Sequence, residues 1–121
     1  MKKDENAINK NQIVQWKEQY GKIYKTTIGE EDFIWRTIRR KEYVNLVKSN
    51  SDVLKDNEQD VLALQDELYY QRQEDIVLAA ILKPSKEEMQ ELIEQQGGLA
   101  SALSDEIMDK SGFVRPETNA L

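Results

Sequence analysis

The hydrophobic pattern changes its period within residues 33–47, and this change predicts a strand that runs directly into a helix. Residues 33–38, FIWRTI, alternate between two sides as the residues of a strand do. Tyr43, Leu46 and Val47 then follow at positions i, i+3 and i+4, which is helical spacing. We expect this junction to set the angle between a small sheet and a helical body.

The segment before the junction predicts a short helix and the first strand of a hairpin. Residues 12–20 carry apolar side chains at helical spacing, with Asn11 as a plausible N-cap and Gly21 after the last turn. Residues 22–28, KIYKTTI, are rich in the β-branched and aromatic types that favour strands. A loop of about four residues, GEED, would join them to the strand at 33–38.

Two helices are predicted in the middle of the chain. The first would begin at Arg39 and end near residue 49, because the polar run 48–52 follows it. The second would start near Asp56 or Asn57, run to about Leu82 and be ended by the proline that follows. Its apolar positions allow one bent helix or two separate ones.

Two shorter helices are predicted near the C-terminus. Ser85 and Glu88 form a capping-box pattern at the start of the first of them, and the pair Gly97-Gly98 ends it. Apolar residues spaced four apart from Leu99 to Ile107 predict the last helix, which would close near Gly112, with Phe113 as an anchor.

Together these elements predict an α+β fold, in which a small N-terminal β-hairpin packs against a mainly α-helical body of four to five helices. The length of 121 residues is that of one domain. We expect residues 12–113 to form this single domain. Residues 1–11 are polar and predict a disordered arm, and residues 114–121 predict a flexible tail.

Composition narrows the function classes. The chain lacks cysteine and histidine, which removes thiol nucleophiles, imidazole bases, disulfides and the usual zinc sites. The formal net charge of −6 argues against general binding to nucleic acid. No apolar stretch is long enough to cross a membrane, and the N-terminus does not resemble a signal peptide. We therefore expect a cytoplasmic protein without a membrane association.

The one concentrated positive charge in this acidic chain is formed by Arg36, Arg39, Arg40 and Lys41. One interpretation is structural, with Arg36 paired to a carboxylate such as Glu42 and the other three solvating a helix start, although cations oppose the helix dipole there. The other interpretation is a partner-binding surface for an acidic protein, with nucleic acid less favoured. Both remain open from the residues alone.

Other charged residues give no site. The turn carboxylates Glu30, Glu31 and Asp32 lack the spacing of a calcium loop, and a solvated turn is the favoured interpretation. Glu74 and Asp75 are adjacent in a predicted helix, so they would not face each other as a catalytic pair. We expect no catalytic residues, no metal, no cofactor and no enzymatic activity.

Three short motifs suggest a family. They are W-K-x-x-Y-G-x-I-Y at residues 16–24, R-x-I-x-R-x-E-Y at residues 36–43, and G-G-L-A at 97–100 followed by S-G-F at 111–113. In this arrangement the chain resembles small assembly proteins encoded among the tail genes of contractile-tailed bacteriophages. The resemblance covers most of residues 13–113. It departs from the family at Arg39, where related patterns often carry Thr or Ser as the helix N-cap.

The resemblance implies a tail assembly chaperone or baseplate assembly protein. Such proteins hold an aggregation-prone tail component, typically the tape-measure protein, during tail morphogenesis. One alternative is a structural subunit of the virion tail or baseplate, which would place the protein in the virion. Another is a small regulator that binds a host protein or nucleic acid through Arg36, Arg39 and Arg40. The expected partner is a phage tail protein, the expected location is the host cytoplasm, and self-association stays open.

Overall fold

The computed structural model describes the backbone of residues 10–56, 61–113 and 116–121, and the side chains of these residues outside 50–65. The described residues form five helices and three strands. In chain order they are α1 Lys10–Tyr20, β1 Ile23–Ile28, β2 Glu31–Arg36, α2 Arg40–Asp56, α3 Val61–Ala80, β3 Ile81–Lys83, α4 Lys86–Gln95 and α5 Leu99–Lys110. The predicted α+β class, a hairpin with a mainly helical body, is confirmed.

The sheet is antiparallel, with strand order β1-β2-β3, so β2 is its central strand. Ile28 pairs with Glu31, which leaves a loop of only two residues, Gly29 and Glu30, instead of the predicted four. Gly29 has φ +63°, a conformation that the first position of such a loop requires and that glycine adopts without strain. The second strand therefore begins at Glu31 and ends at Arg36, not at residue 38.

The third strand, β3, is absent from the sequence-based prediction, which extended the preceding helix to about Leu82. Helix α3 ends at Ala80, and Ile81–Lys83 pair with β2 instead. The apolar pattern of α3 continues into these residues without a break, and three residues are too few to show a period of two. Their pairing with Ile34 and Trp35 of β2 makes them a strand.

Helix α2 is longer than predicted. It runs from Arg40 to Asp56, so the polar run at 48–52 lies inside the helix and does not end it. Lys, Ser, Asn and Asp are tolerated in helices far better than glycine or proline, and neither of these two interrupts the segment. Helix α3 is a single helix over Val61–Ala80. Of its two candidate caps, Asp56 is the last residue of α2, and Asn57 lies outside the described residues.

The core lies between the sheet and helices α3, α4 and α5. Phe33, Ile34 and Trp35 are all buried, because a central strand is covered on both faces. Phe33 and Trp35 belong to one continuous apolar cluster. Its other fully or nearly fully buried members are Ile38, Ile76, Val77, Ala80, Ile81, Met89, Ile93, Leu99, Ala100, Leu103 and Ile107.

The Ser85 cap and the close near Gly112 are confirmed, whereas α4 ends at Gln95, before the glycine pair that was predicted to end it. Ser85 Oγ accepts a hydrogen bond from the Glu88 amide at 3.2 Å at the start of α4. Gly98 precedes α5, and Gly112, with φ +92°, follows it. The Phe113 ring packs against Tyr43 of α2 with centroids 4.8 Å apart, so Phe113 joins the end of the chain to the start of α2.

The ends of the chain are described only in part. Helix α1 begins at Lys10, so Asn11 lies in its first turn and does not cap it. Residues 1–9 lie outside the described residues, and the disordered arm stays a prediction. Residues 116–121 form no helix or strand, and 114–115 lie outside the described residues, so the flexible tail also stays a prediction.

Candidate functional site

Arg36 occupies the point where β2 ends and the chain turns toward α2. Its Nη1 and Nη2 donate hydrogen bonds to the two carboxylate oxygens of Glu42 at 2.9 and 2.7 Å. Nη1 also donates to the Thr37 carbonyl at 3.1 Å, and Nη2 to the Ala79 carbonyl at 3.0 Å. The guanidinium therefore connects the strand, the first turn of α2 and the end of α3, as a planar group with several donors can.

Glu42 also completes the start of α2. It is the third residue of the helix, and its Oε1 accepts a hydrogen bond from the backbone N–H of Arg39 at 3.2 Å. This is half of a capping box, the half in which the glutamate reaches back to the N-cap residue. Arg39 has no hydroxyl to return the bond, and Arg36 provides the second set of contacts that holds Glu42 in place.

The pair shifts the acidity of both members. The hydrogen bonds from Arg36 are the main reason that the pKa of the Glu42 carboxyl lies below its usual value, with the Arg39 amide adding to them. The hydrogen bond to Glu42 likewise raises the pKa of Arg36. Both groups are therefore charged at neutral pH. Their side chains are 19% and 35% exposed, so solvent screens the pair in part.

The motif residues of the first two segments meet at this place. The Arg36 guanidinium lies over the Tyr20 ring at 5.3 Å from its centroid, a cation–π contact. Tyr24 stacks on Trp35 with centroids 4.9 Å apart, and the Trp35 indole donates to Thr26 Oγ1 at 2.8 Å. Tyr20 of the first motif thus packs directly against Arg36 of the second, and this contact joins the end of α1 to the junction of the sheet and α2.

The other three cations of the cluster differ from Arg36. Arg39, Arg40 and Lys41 are all exposed, and none forms a salt bridge with a residue that the structure describes. Arg39 and Lys41 line an open hollow of about 520 Å³ between the end of α1 and the first turn of α2, whereas Arg40 does not. The remaining lining residues are Gln19, Tyr20, Arg36, Thr37, Glu42 and Asn45.

Gln19, Tyr20 and Asn45 were missed as site residues by sequence reasoning. Gln19 and Tyr20 end α1, about twenty positions before the cations, and the sequence does not state that the two helices meet. One signal was available for Tyr20, since it belongs to the W-K-x-x-Y-G motif. The structure thus brings together Arg36, Arg39 and Lys41 around a hollow and leaves Arg40 outside it.

A second hollow, of about 560 Å³, has an acidic lining. The turn carboxylates Glu30, Glu31 and Asp32 face Glu88 and Glu91 of α4 across it. Asp32 accepts a hydrogen bond from Thr27 Oγ1 at 2.6 Å. Within the described part of the chain, no group of three or more acidic side chains has an arrangement suited to a metal ion.

Two adjacent tyrosines of α3 are exposed on the surface. Tyr69 and Tyr70 of α3 are 59% and 64% exposed, with their rings 5.6 Å apart in an edge-to-face contact.

Among the residues that the structure describes, no helix combines the length and the apolar character needed to span a membrane.

Comparison with known proteins concerns the fold. Neither a protein-family model nor a curated protein sequence matches this chain. A solved structure of an uncharacterised protein from Bacillus stearothermophilus has a similar fold, with a TM-score of 0.62 and 14% sequence identity. The similarity covers 89% of this chain and 99% of that chain. At this identity the likeness concerns the three-dimensional arrangement alone.

Proposed function

We propose that this protein is a non-enzymatic tail assembly chaperone that binds a tail component, such as a tape-measure protein, during tail morphogenesis in a contractile-tailed bacteriophage. The observation that carries the proposal is the set of three exposed cations, Arg39, Arg40 and Lys41, which form no salt bridge with the described residues of a chain of net charge −6. Arginine is enriched among the residues that contribute most of the binding energy at protein interfaces.

Two features support this proposal. The first is the resemblance of residues 16–24 and 36–43 to motifs of small phage tail assembly proteins. In this chain, residues of these motifs pack around Arg36. The second is the rigid support of the cluster, since Arg36 and Glu42 hold the first turn of α2 by four hydrogen bonds to each other, to Arg39 and to Ala79. A recognition surface benefits from such support, because less side-chain and backbone freedom is lost on binding.

The experiment is a capture assay with the tail proteins encoded in the same genome. The tagged protein is co-expressed with each candidate tail component, and the captured material is identified by mass spectrometry. We expect one tail protein, of the tape-measure type, to be captured and to remain in solution only in the presence of this chain. Capture should fall strongly when Arg39, Arg40 and Lys41 are all changed to Gln.

The matched control changes three exposed lysines elsewhere, Lys48, Lys86 and Lys110, to Gln, which alters the net charge equally. Capture that falls to the same extent in this control would contradict a local surface. Failure to capture any tail protein would contradict the proposed function. Mass spectrometry of purified particles separates the alternative role, because a chaperone is absent from the particle and a structural subunit is present at a fixed copy number.

A further inference from the structure

The hollow beside the cation cluster has a lining that can be divided by charge. Arg36 and Glu42 neutralise each other, since both Glu42 oxygens accept hydrogen bonds from the Arg36 guanidinium. Glu42 Oε1 is further occupied by the Arg39 amide. The side chains of Arg39 and Lys41 therefore provide the surplus charge of the hollow, which is positive.

The position of these cations is unfavourable for the isolated protein. Arg39 is the N-cap of α2, and Lys41 lies in its first turn, where the helix dipole is positive and disfavours further positive charge. The two side chains also repel each other. An anion between them would be attracted by both side chains and by the helix dipole, so binding of an anion would relieve the unfavourable arrangement.

We propose that this hollow binds an acidic segment of a protein partner, with one or two carboxylates held between Arg39 and Lys41 above Tyr20. This inference rests on the proposed function and specifies the chemistry of its partner. The side-chain amides of Gln19 and Asn45, at the border of the hollow, can form hydrogen bonds with the backbone of the bound segment. Arg39 can hold a carboxylate through two parallel N–H groups.

A peptide segment fits the charge distribution better than a nucleic acid does. An extended polyanion would follow the surface beyond the hollow, where the net charge of −6 repels it. A short acidic segment places its charge only where the two cations lie. The surface thus selects a local carboxylate on an otherwise neutral or basic partner.

Arg40 provides an internal control for this inference. It has the same charge as its neighbours and is exposed as they are, but it does not line the hollow. If the hollow is the binding site, loss of Arg39 and Lys41 weakens binding and loss of Arg40 does not. A diffuse attraction to the whole cluster would respond equally to each cation that is removed.

The test is a titration of the full chain, labelled with nitrogen-15, followed by nuclear magnetic resonance. The probe is a short peptide of alternating Glu and Ser with blocked ends, and the matched peptide carries Gln in place of Glu. The Glu peptide should shift the backbone amides of residues 39–42 and the side-chain amides of Gln19 and Asn45, and the Gln peptide should not. In R39Q/K41Q the dissociation constant should rise about tenfold, and in R40Q it should stay within about twofold of the unmodified protein.

Several outcomes would overturn the inference. These are an absence of shifts around the hollow, equal shifts with the Gln peptide, and a loss of affinity in R40Q as large as that in either single variant, R39Q or K41Q. Tighter binding of an oligothymidylate of the same length would assign the site to nucleic acid, and equal binding of inorganic phosphate would assign it to any small anion. The charge-preserving variant R39K/K41R should keep binding, which separates a loss of charge from a disturbed fold.

This experiment can fail independently of the capture assay. If a tail protein is captured but the peptide does not bind, the hollow is not the contact and the proposed function stands. If the peptide binds as described but no tail protein is captured, the site exists and the proposed function is wrong.

Discussion

Arg36 and Glu42 form a bidentate ion pair across the junction of β2 and α2, with N–O distances of 2.9 and 2.7 Å. Arg36 is the last residue of the strand, and Glu42 is the third residue of the helix. The same guanidinium donates to the carbonyl of Ala79, forty-three positions along the chain, at 3.0 Å. The pair therefore sets the angle between sheet and helix and attaches both to α3.

Replacing Arg36 by Ala should destabilise the protein by about 2 kcal/mol, because Glu42 and the Ala79 carbonyl lose their donors in a partly buried place. Equilibrium unfolding in urea measures this loss. Arg40→Ala removes the same side chain from an exposed position of the same cluster, and it should change the free energy of unfolding by no more than about 0.5 kcal/mol. Equal unfolding midpoints for the two variants would show that Arg36 is not a structural support.

The Glu42 pair should also make stability depend on pH. Because hydrogen bonds from Arg36 lower the pKa of the Glu42 carboxyl in the folded protein, the stabilisation is fully present above the unfolded pKa of about 4.3. It is lost as the pH falls through the lower, folded value. Glu42→Gln should therefore cost about 1 kcal/mol at neutral pH, a modest amount because the group is partly exposed.

The difference between Glu42→Gln and the unmodified protein should shrink as the pH is lowered from about 5 to about 3, since protonated Glu42 resembles Gln. Urea unfolding of both proteins across this range measures it, and the other carboxylates cancel in the comparison. A difference that stays constant with pH would mean that the charge of Glu42 does not contribute.

Ser111, which follows α5, contacts the backbone between β2 and α2. Its Oγ accepts a hydrogen bond from the buried backbone N–H of Ile38 at 2.9 Å, across seventy-three positions. Ser111→Ala leaves this N–H without its acceptor and should cost about 1 to 2 kcal/mol. Hydrogen exchange should show the Ile38 amide exchanging faster in this variant.

The control for that prediction is Ser49→Ala, at an exposed position of α2, which should leave both stability and the exchange of Ile38 unchanged. If the Ile38 amide exchanges at the same rate in Ser111→Ala as in the unmodified protein, the hydrogen bond does not contribute to the native state.

The hairpin turn provides a test of backbone conformation alone. A Cβ atom added at Gly29 would meet no atom within 4 Å, so only the positive φ of +63° opposes a side chain there. Gly29→Ala should cost about 1 kcal/mol in thermal or urea unfolding. Gly97→Ala is the control, because its surroundings are equally open and its φ is not in the left-handed region. Equal stabilities would show that the tight turn is not under this constraint.

Much of the architecture was predictable because its causes are local. The Ser85 cap, the stops at Gly21 and Gly112, and the hairpin all depend on contacts between residues a few positions apart. The pairing of Arg36 with Glu42 was also predictable, since six positions separate them across a single junction. The predicted hairpin loop was two residues too long, and the predicted start and end of its second strand were each displaced by two residues. The register of a hairpin depends on both strands at once, so neither strand alone gives it.

The cations of the candidate site were predictable as a cluster, but the different position that each one takes in the structure was not. From the sequence, Arg36, Arg39, Arg40 and Lys41 are four equivalent charges. In the structure, Arg36 is a half-buried connection between three elements, Arg39 and Lys41 line a hollow, and Arg40 does not line it. The end of α1 creates this difference, because it supplies the opposite side of the hollow.

The sequence by itself determined the α+β class, the capped start of α4 and the position of the positive charge in the chain, since these follow from propensities and contacts within a few residues. The tertiary structure alone decided that Ile81–Lys83 form a strand and that Ser111 accepts a hydrogen bond from Ile38. It also decided that Gln19 and Tyr20 line the same hollow as Arg39 and Lys41. Each of these depends on partners far away along the chain. The free energy of these contacts is gained only when the whole chain has folded, so local sequence preferences do not predict them.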